Sequence, residues 1–126
     1  MILVDTSVWI NHLRLGEPGL VAALEGEQVL MHLFVLGELA CGNLKYRNET
    51  LGLLGALPAI PTATDLEVLN MIKRQARNDR GIGYIDFHLL TSTALAVDAR
   101  IWTRDKKLAA AASELKLLAF EEEGVS

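Results

Sequence analysis

The chain has 126 residues, the length of one ordinary domain, and at that size roughly two-thirds of the unfolded surface is buried on folding. Hydrophobic residues make up 51% and charged residues 22%, with ten glycines and three prolines, which excludes a disordered tail, a collagen-like fibre and a low-complexity linker. The net charge of −4 argues against a protein that holds nucleic acid by charge alone, and a single cysteine, Cys41, excludes an internal disulfide framework or a multi-cysteine zinc site.

No internal repeat or Gly/Ser/Pro-rich linker divides the chain, so residues 1–126 are expected to form one domain. The longest strictly apolar runs, Leu20 to Leu24 and Leu108 to Ala112, are too short to cross a bilayer. Met1-Ile2-Leu3-Val4-Asp5 has no basic flank and meets an acid after four residues, unlike a signal peptide. A soluble, cytoplasmic protein without membrane attachment is the expectation. Counting glycine as apolar brings that class to about 59%, above the usual 45–50% or so, so extra apolar surface is expected to be covered by a partner.

In chain order, Ile2-Leu3-Val4 is a short strand ended by Asp5, and Thr6 to Arg14 reads as a helix. Glu17 to Glu25 is a second helix, Gln28 to His32 a strand, and Phe34 to Gly42 a helix closing on a glycine. Glu49 to Leu57 follows as a helix, and Ala59-Ile60, between two prolines, as a weak strand. Thr64 and Glu67 form a capping-box signature that opens a helix to about Arg80, with Leu69, Ile72 and Ala76 on one stripe. The turn Gly81-Ile82-Gly83 precedes a helix ending near Val97. Arg100 to Thr103 is a strand, Asp105 to Ala112 a helix, and Lys116 to Phe120 a last strand. Strand alternating with helix predicts an α/β fold, a mostly parallel sheet with helices on both faces. In such a sheet the site lies outside the carboxyl ends of the strands.

Four acids stand out. Asp5 and Asp105 each follow a strand and open a helix, where a carboxylate caps as readily as it serves a site. Asp86 lies in a first helical turn, where the helix dipole alone favours an acid. Glu38 sits within Phe34-Val35-Leu36-Gly37-Glu38-Leu39-Ala40-Cys41, without a basic residue three or four positions away. Either its helix face is exposed, or it takes a partner from elsewhere in the fold. Strand ends and helix starts bring Asp5, Asp86 and Asp105 to one rim. Converging carboxylates repel and raise their pKa values unless a cation compensates, and oxygen-only ligands select Mg²⁺ or Mn²⁺ over Zn²⁺. Such an ion can activate water and stabilise charge on a phosphoryl group. One divalent ion also lowers the acidic balance that would otherwise oppose a polyanion.

Asp5-Thr6-Ser7 after the first strand, Glu38-Leu39, Asp86 opening a helix and Thr103-Arg104-Asp105 after a later strand resemble the PIN-domain family. The small size and the Thr-Arg-Asp-Lys run are most similar to its VapC-type toxin branch. The resemblance covers nearly the whole chain and rests on the ordered set of four. It implies a parallel sheet of order 3-2-1-4-5 and a Mg²⁺- or Mn²⁺-dependent endoribonuclease. It also implies a homodimer and inhibition by a cognate antitoxin. By the same resemblance, Asp5, Glu38, Asp86 and Asp105 match the catalytic and metal-holding quartet, and Thr6 or Ser7, with Thr103, match hydroxyls that orient those carboxylates. Many relatives carry another acid two residues beyond the last Asp, where this chain has Lys107. A single metal, with a second recruited by RNA phosphate, is therefore expected.

Arg104, Lys106 and Lys107 flank Asp105 and are candidates for RNA phosphate contact, or for solvating a helix start. Lys73, Arg77 and Arg80 form a basic stripe at helical spacing, which is solvated or guides RNA. His88 points away from Asp86 on a helix, and His12 and His32 are expected to be structural or exposed. Cys41 reads as a small buried hydrophobe. Trp9 and Trp102 read as core or interface without the aromatic interleaving of a base-stacking platform. Asp79 and Asp98 read as surface acids, and Gly81-x-Gly83 is too short for a phosphate loop. Two competing functions are a PIN-like RNA- or protein-binding module without turnover, and a phosphatase forming an aspartyl-phosphate. The latter needs a second Asp at position 7, where this chain has Ser.

Overall fold

A computed structural model describes residues 1–75 and 81–120. Its centre is a parallel sheet of three short strands in the order β2-β1-β3: β1 (Ile2–Val4), β2 (Val29–Leu30) and β3 (Arg100–Trp102). Ile2 pairs with Val29 on one side and Arg100 on the other, and Val4 with Trp102. Leu3 and Val4 point to opposite faces, yet both are fully buried, so the central strand is covered on both sides, as parallel sheets are.

The expected strands at Ala59-Ile60 and Lys116–Phe120 shrink to single parallel bridges, Met31 with Ala59 and Ile101 with Leu118. Each bridge flanks an outer strand of the sheet, so the expected neighbours are kept while the pairing is shorter. Pro58 explains part of this on one edge: it has no N–H to donate, and contributes only its carbonyl, which accepts from Met31 N at 2.8 Å.

Seven helices complete the described chain: α1 (Thr6–Leu15), α2 (Pro18–Glu25), α3 (Leu33–Ala40), α4 (Arg47–Gly55), α5 (Asp65–Gln75), α6 (Tyr84–Leu95) and α7 (Lys106–Glu114). The capping box forms, with Glu67 N donating to Thr64 Oγ1 at 3.1 Å and Thr64 N to Glu67 Oε1 at 2.8 Å. The buried stripe of α5 is Val68 and Met71, while Leu69 is exposed, so the core-facing register differs from the expected one by one position. Ala76, Arg77, Asp79 and Arg80 lie outside the described residues, as does the expected end of that helix. Cys41 is exposed rather than buried, because it follows the last turn of α3 instead of sitting on its inner face.

α6 is buried continuously from His88 to Thr93. Its threonine hydroxyls are satisfied locally, Thr91 donating to Phe87 O and Thr93 to Leu89 O, each at 2.7 Å. His32 fixes α3 against it. Its Nδ1 accepts from Phe34 N at 2.9 Å, capping α3, and its Nε2 meets Ser92 Oγ at 3.1 Å. A cap accepted at Nδ1 requires the neutral ring with its proton on Nε2. Burial, and then the nearby His88, accordingly push the His32 pKa down to about 4. His32 is thus the structural histidine expected. Among the described residues no helix is long and apolar enough to cross a membrane.

Candidate active site

Asp5 leaves β1 and occupies the N-cap position of α1, but its side chain makes no capping bond. Its carboxylate is 6% exposed, and Oδ2 instead accepts from Ser7 Oγ at 2.8 Å and Thr103 Oγ1 at 2.7 Å. Each hydroxyl has one proton, so both protons are committed to Asp5, and the 3.3 Å approach of Ser7 to Thr103 is a contact only. The two hydroxyls also accept: Arg104 N donates to Ser7 Oγ and Asp105 N to Thr103 Oγ1, each at 3.0 Å. Asp5 N donates to Trp102 O at 2.9 Å. The carboxyl ends of β1 and β3 are thereby tied together through backbone and hydroxyl groups. Asp5 Oδ1 has no hydrogen-bond partner among the described residues.

Asp105 behaves differently. It caps α7, its Oδ1 accepting from Lys107 N at 2.9 Å and Leu108 N at 3.0 Å, and it is exposed. Glu38 is also exposed, and its partner comes from another element: Thr6 Oγ1 donates to Glu38 Oε1 at 2.6 Å, joining α3 to the start of α1. Asp86, in the first turn of α6, is half-buried. Burial first, then the charges of Asp5, Asp105 and Glu38, push its pKa up to about 6. The four acids singled out in the sequence therefore share one electrostatic field, with Asp86 the member that feels the other three.

Among the described residues no three His, Cys, Asp or Glu side chains form a ready-made metal cage. The donor set nevertheless fits Mg²⁺ chemistry, because that ion keeps several waters and uses one or two carboxylates plus substrate phosphate. Asp5, oriented by two hydroxyls and left with one free oxygen, has the required form.

The three candidate phosphate contacts are deployed differently. Arg104 pairs with Glu17, which is itself held by Asn11 Nδ2 at 2.7 Å. The Arg104 hydrogen bond is the main reason that the Glu17 pKa is lowered. The Lys107 side chain lies across Gly81, where an added Cβ would come within 2.7 Å of Nζ. Lys106 is exposed and makes no ion pair among the described residues. Of the basic stripe only Lys73 is described, and it is exposed.

Two groupings have no motif in the sequence. Glu17, Asn11 and Arg104 meet across the α1–α2 corner. Asp65 Oδ1 accepts from Tyr84 Oη at 3.0 Å and lies 3.0 Å from His88 Nε2. His88 turns away from Asp86, as its spacing predicts, and stacks edge-on against Phe34 with ring centres 4.6 Å apart. Asp65 directly follows the capping Thr64, the only sequence signal that places it at a helix start.

Comparison with known proteins identifies the family. The PIN domain model matches residues 2–114. Ribonuclease VapC32 from Mycobacterium tuberculosis, in strains CDC 1551 / Oshkosh and ATCC 25618 / H37Rv, is 46% identical over 122 residues, covering 97% of this chain and 98% of the relative.

Proposed function

The chain belongs to the PIN-domain family, in its VapC-type branch, and from that premise we propose that it is a Mg²⁺- or Mn²⁺-dependent endoribonuclease, the toxin of a toxin–antitoxin pair, acting in the cytoplasm. The observation that carries the reading is the Asp5 corner: a buried carboxylate at a helix start that forgoes capping and is held by Ser7 and Thr103 with one oxygen free. The name of the 46% identical relative supplies the substrate class.

Asp5, Asp86, Asp105 and Glu38 are the residues that would hold the ion. Bound there, a divalent metal supplies positive charge for the phosphodiester and makes a water more acidic. The chain's own groups do the rest. Ser7 and Thr103 hold the Asp5 carboxylate in one rotamer, so no reorganisation is needed when charge develops. Thr6 sets the direction of Glu38. Asp86, half-buried and facing the charges of Asp5, Asp105 and Glu38, is the carboxylate of the four that a cation bound there would relieve most. Lys106, Lys107 and Arg104 place cations beside Asp105, where the RNA backbone would approach.

Partner binding by a homodimer and by an antitoxin is part of the proposal, and exposed apolar side chains support it. Leu15, Leu33, Leu53, Leu66, Tyr46 and Val97 are all more than 60% exposed, apolar surface that a second copy or an antitoxin would cover. Cleavage of an end-labelled mixed RNA pool by the purified chain tests the reading, with Mg²⁺, Mn²⁺ or chelator and Asp86→Asn as control. Cutting that needs metal and disappears in the variant is expected. Equal cutting by Asp86→Asn would remove Asp86 from the site, and no cutting together with no metal binding would remove the nuclease assignment.

A further inference from the structure

Behind Thr103, on the far side of β3 from β1, lies a cavity of about 230 Å³. Trp102, Ala109, Leu118 and Phe120 form its apolar walls, and Arg104 and Lys106 its cationic rim. That volume is below the roughly 300–1,000 Å³ of pockets that enclose a drug-sized molecule, and suits one flat ring system. Strand alternation produces the arrangement. Thr103 turns its hydroxyl to Asp5, so the preceding Trp102 turns the other way. Thr103 thus touches both the acidic corner and the cavity, and the Trp102 ring lines the cavity alone.

The aromatic walls are held in place. Trp102 and Phe120 meet edge to face with ring centres 5.1 Å apart. On the α2 side the indole rests on Gly19, where an added Cβ would lie only 3.2 Å from it. Arg104 is fixed by Glu17, which keeps its guanidinium at the rim, whereas Lys106 is exposed and makes no ion pair among the described residues. Two aromatic rings, a fixed guanidinium plane and an exposed ammonium are the groups by which proteins stack an unpaired base and hold its phosphate. An apolar ligand would leave the cations unused, and a simple anion would leave the rings unused.

We propose that this cavity is a nucleobase subsite, seating one unpaired base of the RNA next to the Asp5 corner, with Lys106 on the adjoining phosphate. The proposal rests on the ribonuclease reading and adds to it the part that selects a base. It is tested in chelator, where no cleavage can occur, by comparing a 2′-O-methyl trinucleotide with an abasic trinucleotide of the same charge. Binding is read by anisotropy and by quenching of Trp102, with Trp102→Phe assigning the signal against Trp9.

The base-bearing probe is expected to bind at least about tenfold tighter, and Phe120→Ala to remove most of that preference, since one stacked base is worth roughly 5- to 150-fold. Lys106→Ala, an exposed change that leaves the core untouched, is expected to weaken both probes alike. Equal affinity for the two probes overturns the subsite, as does a preference that survives Phe120→Ala in a folded protein. Polyglutamate competing as well as the base-bearing probe would also overturn it, marking the cavity as a site for an acidic peptide. Metal-dependent cleavage by the wild type is scored separately: cleavage without base preference removes only the subsite, and base preference without cleavage removes only the nuclease.

Discussion

The corners at Asp5 and Asp105 begin from the same plan, an aspartate leaving a parallel strand at the N-cap of the next helix, and use it in opposite ways. Asp105 caps α7 through two backbone N–H groups and faces solvent. Asp5 leaves the amides of α1 uncapped by its side chain, and is buried against two hydroxyls from different strands. One corner uses its carboxylate for the helix and the other reserves it. The difference teaches that an acid's position in the fold does not fix its role; the hydroxyls around it do. Ser7 and Thr103 are what distinguish the reserved carboxylate from the capping one.

The comparison breaks most visibly at Asp5. Asn can still accept from Ser7 and Thr103, so Asp5→Asn keeps the fold while removing the charge. Metal-dependent RNA cleavage is expected to fall by at least about 100-fold, as loss of several kcal/mol of metal-assisted stabilisation requires. An unchanged thermal midpoint beside that loss would show the charge, not the packing, to be responsible. Near-normal cleavage would end the assignment of this corner as the site.

Thr103→Val is the next largest. It deprives Asp5 Oδ2 of one donor and leaves Asp105 N without its acceptor, while the side-chain volume is nearly kept. Groups that orient a metal ligand typically change affinity or activity by about 10- to 100-fold, and that is the expected drop in cleavage or in Mn²⁺ affinity. Thr103→Ser restores the hydroxyl and should recover most of it. Failure of Ser to rescue would mean that the methyl group's packing, rather than the hydrogen bond, matters.

The electrostatic link between the two corners is Asp86. Its pKa, pushed up to about 6, lies above the unfolded value of about 3.9. Between those values the native protein holds a proton that the unfolded chain has released. Stability from this group therefore falls as pH rises through that window, and stays lower above it. His32 acts oppositely: its pKa near 4 means stability is lost as pH falls below about 6.5. The two slopes oppose each other in the wild type, so the difference between Asp86→Asn and wild type isolates one of them. In chelator, urea midpoints should show the variant gaining on the wild type from pH 4 to pH 7. Excess Mg²⁺ should shrink that gain by compensating the acids. A gain independent of pH would separate Asp86 from the charges of Asp5, Asp105 and Glu38.

Much of this was legible in the sequence because it depends on local chemistry. The alternation of strand and helix, the capping box at Thr64 and Glu67, and acids at strand ends all follow from periodicity and residue type. The resemblance carried by Asp5, Glu38, Asp86 and Asp105 supplied the common purpose proposed for them. What escaped depends on meetings between distant segments. Glu38 has no local partner, and nothing near it names Thr6 as the donor. Trp102 reads as core because a strand residue is expected inward; only the short pairing around Leu118, with Phe120 beyond it, leaves its ring beside a cavity. The edge strands shrank to bridges because β-propensity cannot report how far a neighbour's register runs.

The smallest expected effect sharpens the original contrast by testing the capping half of it. Asp105→Ala removes the acceptor for Lys107 N and Leu108 N, and loss of an N-cap of this kind costs about 1 kcal/mol. Asp105→Asn keeps an oxygen in the same place, and Asn caps as well as Asp, so its stability should stay within a few tenths of a kcal/mol of wild type. At Asp5 the corresponding pair should not separate in this way, because the side chain caps nothing there. Asp5→Ala would instead strand the hydroxyls of Ser7 and Thr103 in a buried site, an uncompensated polar cost of a different origin. The two origins can be told apart in variants that also lack the hydroxyls. Adding Ser7→Ala and Thr103→Val should recover part of the stability lost in Asp5→Ala, since the stranded hydroxyl donors are gone and the amides that lose an acceptor, those of Arg104 and Asp105, belong to exposed residues. The same additions should recover none of the loss in Asp105→Ala, where the orphaned groups belong to the backbone of α7. Recovery in both, or in neither, would mean that the two corners are built alike after all.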